Sequence, residues 1–325
     1  MLDGRISENL EIRRKRIMAI KKPTEMNFSD KNIIMIISGL PGVGKTTLAL
    51  SAPDALIIDA DQGMSRIKPE HRKDMSDSST YEGILEDIHA AEGIYKTIII
   101  DTCGALIDIL KDWAIRTDPK ASKASGGISL QGFGTVKAEF IRLSAELRKK
   151  FNVIYLFHES KEKNGDDIFY DIVCEGSART LVWQPADLGA HLHIMNGKRY
   201  LGFTPTANYN AKSAYGIKGL IEVPELEDGQ PNDFLTKLFA KVRANLNAET
   251  KSLGEDMEKY HKAMSNGLEL IDTITDPEQV NSIVEQIKAL DHGLTSEKEL
   301  LATLKKHLGE VGIKWDKASK SYVRA

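Results

Sequence analysis

Only two cysteines occur in 325 residues, Cys103 and Cys174, and they form no metal-ligand spacing. No apolar run approaches the roughly 20 residues that a membrane-spanning helix needs, so the reading contains no membrane span. The N-terminus mixes acidic and basic residues with no apolar signal core behind them, and a reducing cytoplasm is the expected setting. Charge of one sign is also lacking: a formal net charge of −3 argues against a protein that coats nucleic acid by bulk electrostatics. The local exception lies between Ile12 and Lys22, where Arg13, Arg14, Lys15, Arg16, Lys21 and Lys22 occur without an acid. Such a patch suits a grip on DNA or on a neighbouring subunit, or equally a solvated helix face.

What is present is ample apolar sequence for a large core, 41% of residues, cut into short runs. Runs at 33–38, 55–59, 97–101 and 153–157 read as strands buried on both faces. The segments between the first and last pairs carry helical periodicity; Val136, Phe140, Leu143 and Leu147 recur at steps of four, three and four. Alternating strands and helices predict an α/β fold with a mainly parallel sheet. Asn196-Gly197 between two alternating runs predicts an antiparallel hairpin at the sheet edge.

Three regions follow from these patterns. Residues 1–31 read as a polar and basic arm broken by Pro23, residues 32–247 as the α/β core, and residues 252–325 as a small all-α C-terminal module after the linker "NAETKSLGED". Three helices are expected in the module: one carrying Leu253, Met257, Tyr260, Met264, Leu268 and Ile271, one over 280–290 and one over 300–308. Thr275 with Glu278, and Ser296 with Glu299, fit capping boxes at two of the starts. Trp315 and Tyr322 interleave with Lys314, Lys317 and Lys320, which fits stacking on nucleic acid but fits better the sealing of a small bundle.

The most specific motif is Gly39-Leu40-Pro41-Gly42-Val43-Gly44-Lys45-Thr46, a G-x-x-x-x-G-K-[ST] phosphate loop between a strand and a helix. Its glycines let backbone amides converge on phosphate oxygens without side chains in the way. Gly39, Pro41, Gly42, Val43, Gly44, Lys45, Thr46 and Thr47 are therefore the expected nucleotide-binding residues, with Lys45 reaching the β and γ phosphates. Magnesium is expected on Thr46 and on Asp101, the carboxylate that ends "TIIIDT". "ALIIDADQG" offers Asp59 and Asp61 to position or deprotonate water; Asp61, farther out, is favoured, with a turn-forming Asp ahead of Gly63 as the structural alternative. The N-K-x-D signature for guanine is absent, so ATP is the expected nucleotide. A small-molecule kinase would need an arginine-rich lid, and the loop after Asp118 contains no arginine.

With the phosphate loop, "IIDADQG", "IIIDT" and "VIYLFHE" in that order over roughly residues 30–245, the chain resembles the RecA-like ATPases, most closely the phage-encoded nucleotide-binding proteins of the Sak recombinase group. The resemblance implies an ATPase that assembles on single-stranded DNA as a homo-oligomer with nucleotide at the subunit interface. It implies that Asp61 activates water and that His158, at the end of the fourth strand, senses the γ phosphate. It also implies DNA-facing loops at 118–134, which holds Lys120, Lys123 and Phe133, and at 159–171. A Lys-x-Arg pair that reaches the neighbouring subunit's site is incomplete: Lys212 is kept and Ala214 stands where arginine would, leaving Lys212 or Lys218 to serve alone. Weak or partner-dependent hydrolysis is the expected consequence. The rival expectation is a nucleotide-gated loader whose C-terminal helices hold a helicase or a single-strand-binding protein.

Overall fold

The computed structural model describes residues 21–325 apart from 165, 166, 176, 177 and 228. Arg13 to Arg16, the larger part of the basic patch, lie outside the described residues. The described residues divide into two compact units, 30–245 and 246–325 together with 21–29.

The first unit is built on β1 (Ile34–Gly39), α1 (Lys45–Ala49), β2 (Ala55–Ile58), β3 (Met75–Ser76), α2 (Tyr81–Ala90), β4 (Thr97–Ile100), α3 (Cys103–Thr117) and α4 (Leu130–Lys150). It continues through β5 (Asn152–Asn164), β6 (Asp167–Ile172), α5 (Ala178–Leu181), β7 (Leu188–Met195), β8 (Lys198–Gly202) and β9 (Leu220–Val223), and ends in the first turns of α6 (Phe234–Asp272). The strands lie in the order β3-β2-β4-β5-β1-β7-β8-β9, and β6 pairs with the far end of β5. From β3 to β7 every pair is parallel, whereas β7-β8 and β8-β9 are antiparallel. β1, β2 and β4 are buried at every position, as strands covered on both faces must be, and this is why they read as unbroken apolar runs.

The expected strands, the buried stripe Val136, Phe140, Leu143 and Leu147 on α4, and the edge hairpin are all in place. Asn196 and Gly197 take φ of 51° and 79°, the left-handed pair that a two-residue hairpin turn requires.

The 159–171 segment differs from expectation. It is not a loop: β5 runs on past the sheet and pairs with β6 as an antiparallel hairpin, Glu159 opposite Ile172 and Lys161 opposite Tyr170. The 118–134 loop is shorter and better anchored than its composition suggests. A 3-10 turn occupies Pro119–Ala121, Ser129 caps α4 by accepting from the Gly132 amide, and the Ser129 amide donates to Ala121 at 2.7 Å. Phe133 belongs to the first turn of α4, with the Lys111 ammonium 6.0 Å from its ring centre, while Lys120 and Lys123 stay exposed.

The second unit holds the rest of α6, α7 (Gln279–Lys288) and α8 (Ser296–Glu310) around a core that includes Ile271, Val280, Ile287, Leu300 and Leu304. The expected linker is helical throughout, inside α6. Both expected capping boxes shift by a residue: the Gln279 side chain accepts from the Thr275 and Asp276 amides, and the Thr295 hydroxyl, not that of Ser296, bonds to Glu299. The unit is not purely helical, because β10 (Ile313–Asp316) and β11 (Ser321–Arg324) close it as a two-stranded hairpin. Trp315 and Tyr322 meet edge to face at 4.9 Å, and Tyr322 packs on the helical core. Among the described residues no helix is long and apolar enough to cross a membrane.

Truncating Leu143, 1% exposed at the centre of the α4 stripe, leaves a cavity under the sheet. Leu143→Ala should destabilise the protein by about 2–5 kcal/mol in urea unfolding; a loss under about 1 kcal/mol would mean that α4 does not pack as described.

Candidate functional site

The site forms where β1 and β4 end on either side of β5, which runs on past them. Register places Gly39 next to His158, and the Asp101 amide bonds to the last carbonyl of β2 at 3.1 Å. Gly39 is required here because a Cβ would lie 2.6 Å from the Leu192 carbonyl oxygen of β7. Gly42 and Gly44 take φ of 80° and 99°, and nothing lies within 4 Å of where a Cβ on Gly42 would stand, so the loop presents bare backbone. Among the described residues the amides of Gly44, Lys45, Thr46 and Thr47 have no acceptor. Unsatisfied amides at the head of a helix are the donors an anion binds.

Lys45 is 5% exposed, and its ammonium donates to the carbonyls of Gly39 at 2.9 Å and Leu40 at 3.0 Å. Its third contact is His158 Nδ1 at 3.1 Å. Burial lowers the lysine pKa against the opposing pull of Asp101, Glu159 and Asp61. An ammonium held by neutral acceptors in a dry site suits an arriving polyanion.

The Thr46 hydroxyl donates to Asp101 Oδ2 at 2.7 Å. Burial raises the pKa of Asp101, with Asp61 and Asp59 adding to the effect and the Thr46 bond opposing it. A hydroxyl paired with a carboxylate, amid further carboxylates, is the hard-oxygen set that magnesium selects, and Thr46 with Asp101 would hold it.

Asp59 and Asp61 separate clearly. Asp59 is 6% exposed and accepts from the amides of Gly63 at 2.8 Å and Met64 at 3.0 Å, so it ties down the turn. The turn-forming role is therefore filled by Asp59. Asp61 keeps its carboxylate toward the site, 3.7 Å from His158 Nε2 and 3.6 Å from Arg66.

His158 thus bridges Lys45 and Asp61. Accepting from an ammonium requires a bare Nδ1, which places the neutral ring's proton on Nε2, facing Asp61. Desolvation first, and the Lys45 charge second, lower its pKa. The next residue, Glu159, faces the other way, where its buried carboxylate lies 2.9 Å from His191 Nδ1. Tyr209 stacks on that imidazole at 4.3 Å.

Lys212 is not part of this constellation. Its ammonium caps the carbonyls of Trp183 at 2.9 Å and Gln184 at 3.3 Å, while its backbone pairs with Gly189 near the start of β7. Lys218 is exposed just before β9. One residue at the site was missed by sequence reading: Arg199 of β8 donates through Nε to the Val43 carbonyl at 3.0 Å. Its one sequence signal is its place three residues after the Asn196 hairpin turn, which returns β8 toward the phosphate loop. A cavity of about 650 Å³ opens beside the loop, lined by Gly44, Thr47, Arg199, Pro224 and Phe234 and by His71 across from them.

A profile of the AAA domain family matches residues 31–215, more than half of the chain. The chain belongs to that family, whose members carry a P-loop ATPase-type nucleotide-binding domain. No curated protein matches the sequence.

The depressed His158 pKa carries a sign. Below the ordinary imidazole value of about 6.5 the unfolded chain binds a proton that folded His158 still refuses. The stability it contributes is therefore present above that value and falls as pH drops toward the lower folded-state pKa. Titration of the His158 ring by NMR should give a midpoint below that of an ordinary histidine, rising in Lys45→Ala as the ammonium is removed. A midpoint unmoved by that substitution would show that the two groups do not interact.

Proposed function

We propose that this chain binds ATP with magnesium, hydrolyses it, and passes the state of the γ phosphate to a hairpin that contacts single-stranded DNA in a RecA-like homo-oligomer. The observation that carries this reading is continuity: His158, between Lys45 and Asp61, stands on the same strand that extends as the β5-β6 hairpin. Lys161 and Lys163 are exposed along that extension, which suits contact with a phosphate backbone.

In this mechanism the loop amides and Lys45 bind the phosphates and neutralise charge on the transferring group. Thr46 and Asp101 would hold magnesium, which would supply Lewis-acid stabilisation of the same charge. Asp61 orients the attacking water and draws off its proton. A γ phosphate competes with His158 for the Lys45 ammonium; on losing that partner the ring turns toward Asp61, and the root of the hairpin shifts. The cavity beside Thr47 is the room for the nucleoside, between the 66–71 turn and the 224–234 segment. Lys212, whose ammonium is engaged by the Trp183 and Gln184 carbonyls, is left in this reading to a neighbouring subunit's site. The Sak-type recombination role implied by the sequence resemblance belongs to this reading.

The C-terminal unit supports a second reading. It has its own core and ends in a hairpin with Trp315 half exposed, a surface suited to a protein partner such as a helicase or single-strand-binding protein. Nucleotide occupancy would then gate loading of that partner.

Asp61→Asn should keep magnesium-dependent ATP binding yet lower turnover by about 10²–10⁴-fold, measured by phosphate release beside calorimetry. Turnover equal to wild type would remove Asp61 from the mechanism. Single-stranded oligonucleotide should stimulate the wild type, and Lys161→Glu with Lys163→Glu should abolish the stimulation without changing the basal rate. DNA-insensitive turnover, with stimulation by a protein alone, would overturn the recombinase reading in favour of the loader.

A further inference from the structure

Arg199 is placed as a ligand-binding arginine is, and among the described residues no protein acceptor accounts for its Nη groups. It sits within β8, opposite Ile194 of β7 and Val223 of β9, so ladders on both sides fix its backbone. Its side chain crosses the phosphate loop: Nε lies 3.2 Å from where a Cβ on Gly44 would stand and bonds to the Val43 carbonyl. A guanidinium has five N–H donors, and that bond engages one. Among the described residues no carboxylate pairs with Arg199, and its remaining donors have no acceptor. The group is half-buried and lines the same cavity as Gly44 and Thr47.

Charge balance gives this position a purpose. A nucleotide triphosphate carries about four negative charges and magnesium offsets two. Lys45 is the ammonium the loop supplies, and Lys212 lies toward the other end of β7 with its charge on two carbonyls. We propose that Arg199 is a nucleotide-contacting residue, a guanidinium supplied by the chain's own β8 that grips the phosphate tail with its Nη groups while Nε locks the loop through Val43. The inference rests on the ATP-site reading above and adds to Lys45 a second cation in direct contact with the phosphate loop. Planar forked donors suit phosphate oxygens better than an ammonium does, and the Val43 bond holds the fork in place before the ligand arrives.

The test is calorimetric binding of ATP, ADP and AMP, each with magnesium, to the full chain and to Arg199→Ala, Arg199→Gln and Arg199→Lys. Thermal unfolding without nucleotide checks that each variant is folded, and the lysine and glutamine variants carry the comparison if alanine is not. Alanine and glutamine should weaken ATP and ADP about ten- to hundredfold, AMP by less, and lysine should recover part of the loss because it keeps the charge. A wild-type affinity for ATP in Arg199→Ala or Arg199→Gln would overturn the proposal. So would an equal loss for all three nucleotides with no recovery by lysine, the signature of a clamp on Val43 alone. Wild-type protein that binds no nucleotide would instead overturn the underlying site reading along with it.

Discussion

A buried ammonium organises this molecule. Lys45 enters a dry pocket where two backbone carbonyls and one imidazole nitrogen are its direct partners, and three carboxylates stand near enough to favour its charge. Leaving such a cation without strong acceptors is costly, so everything around it must be held by other means. Gly39 presses against β7, Asp59 ties the 59–64 turn, and the parallel ladder sets His158 beside Gly39. The sheet is stiff because its central strands are buried on both faces, and that stiffness keeps the arrangement in register.

The three aspartates illustrate how one residue type acquires different roles from position alone. Asp101 is paired with a hydroxyl and pushed toward a higher pKa by burial. Asp59 is saturated by amides, and Asp61, two residues on, keeps its carboxylate toward the site. Glu159 is walled off with His191 on the opposite side of β5. Asp59 and Asp61 part because the chain turns beyond the end of β2, whereas alternation along β5 sends Glu159 to the face opposite His158.

Much of this was legible in the sequence because local chemistry and the global fold agree there. The phosphate loop, the runs ending at Gly39 and Asp101, the α4 stripe and the Asn196-Gly197 turn each carry their own signal. The β5-β6 hairpin was not legible, since "ESKEKNGDDIFYD" is largely charged and its buried members Glu159 and Asp171 are themselves acids, so no alternating apolar face marks the strands. The "NAETKSLGED" stretch reads as a break because of Gly254 and its charge, yet Ala, Glu, Lys and Leu are good helix formers and α6 passes straight through. Arg199 was hidden for a different reason: it meets Val43 from 156 residues away, a proximity that sheet order creates and periodicity does not encode. The capping shifts at Gln279 and Thr295 fall within the usual blur of helix ends.

The unusual length of β5 has a mechanical meaning. Its first half is clamped between β4 and β1, whereas beyond Glu159 it has β6 for company. The ribbon is rooted in the rigid sheet at one end and braced along β6, where the Tyr170 amide donates to the Asn208 carbonyl at 2.6 Å and the Asn208 side chain donates to the Ile168 carbonyl at 2.8 Å. His158 and Glu159 occupy that root, so a displacement there is handed along the paired strands to the Asn208–Tyr209 segment that braces them.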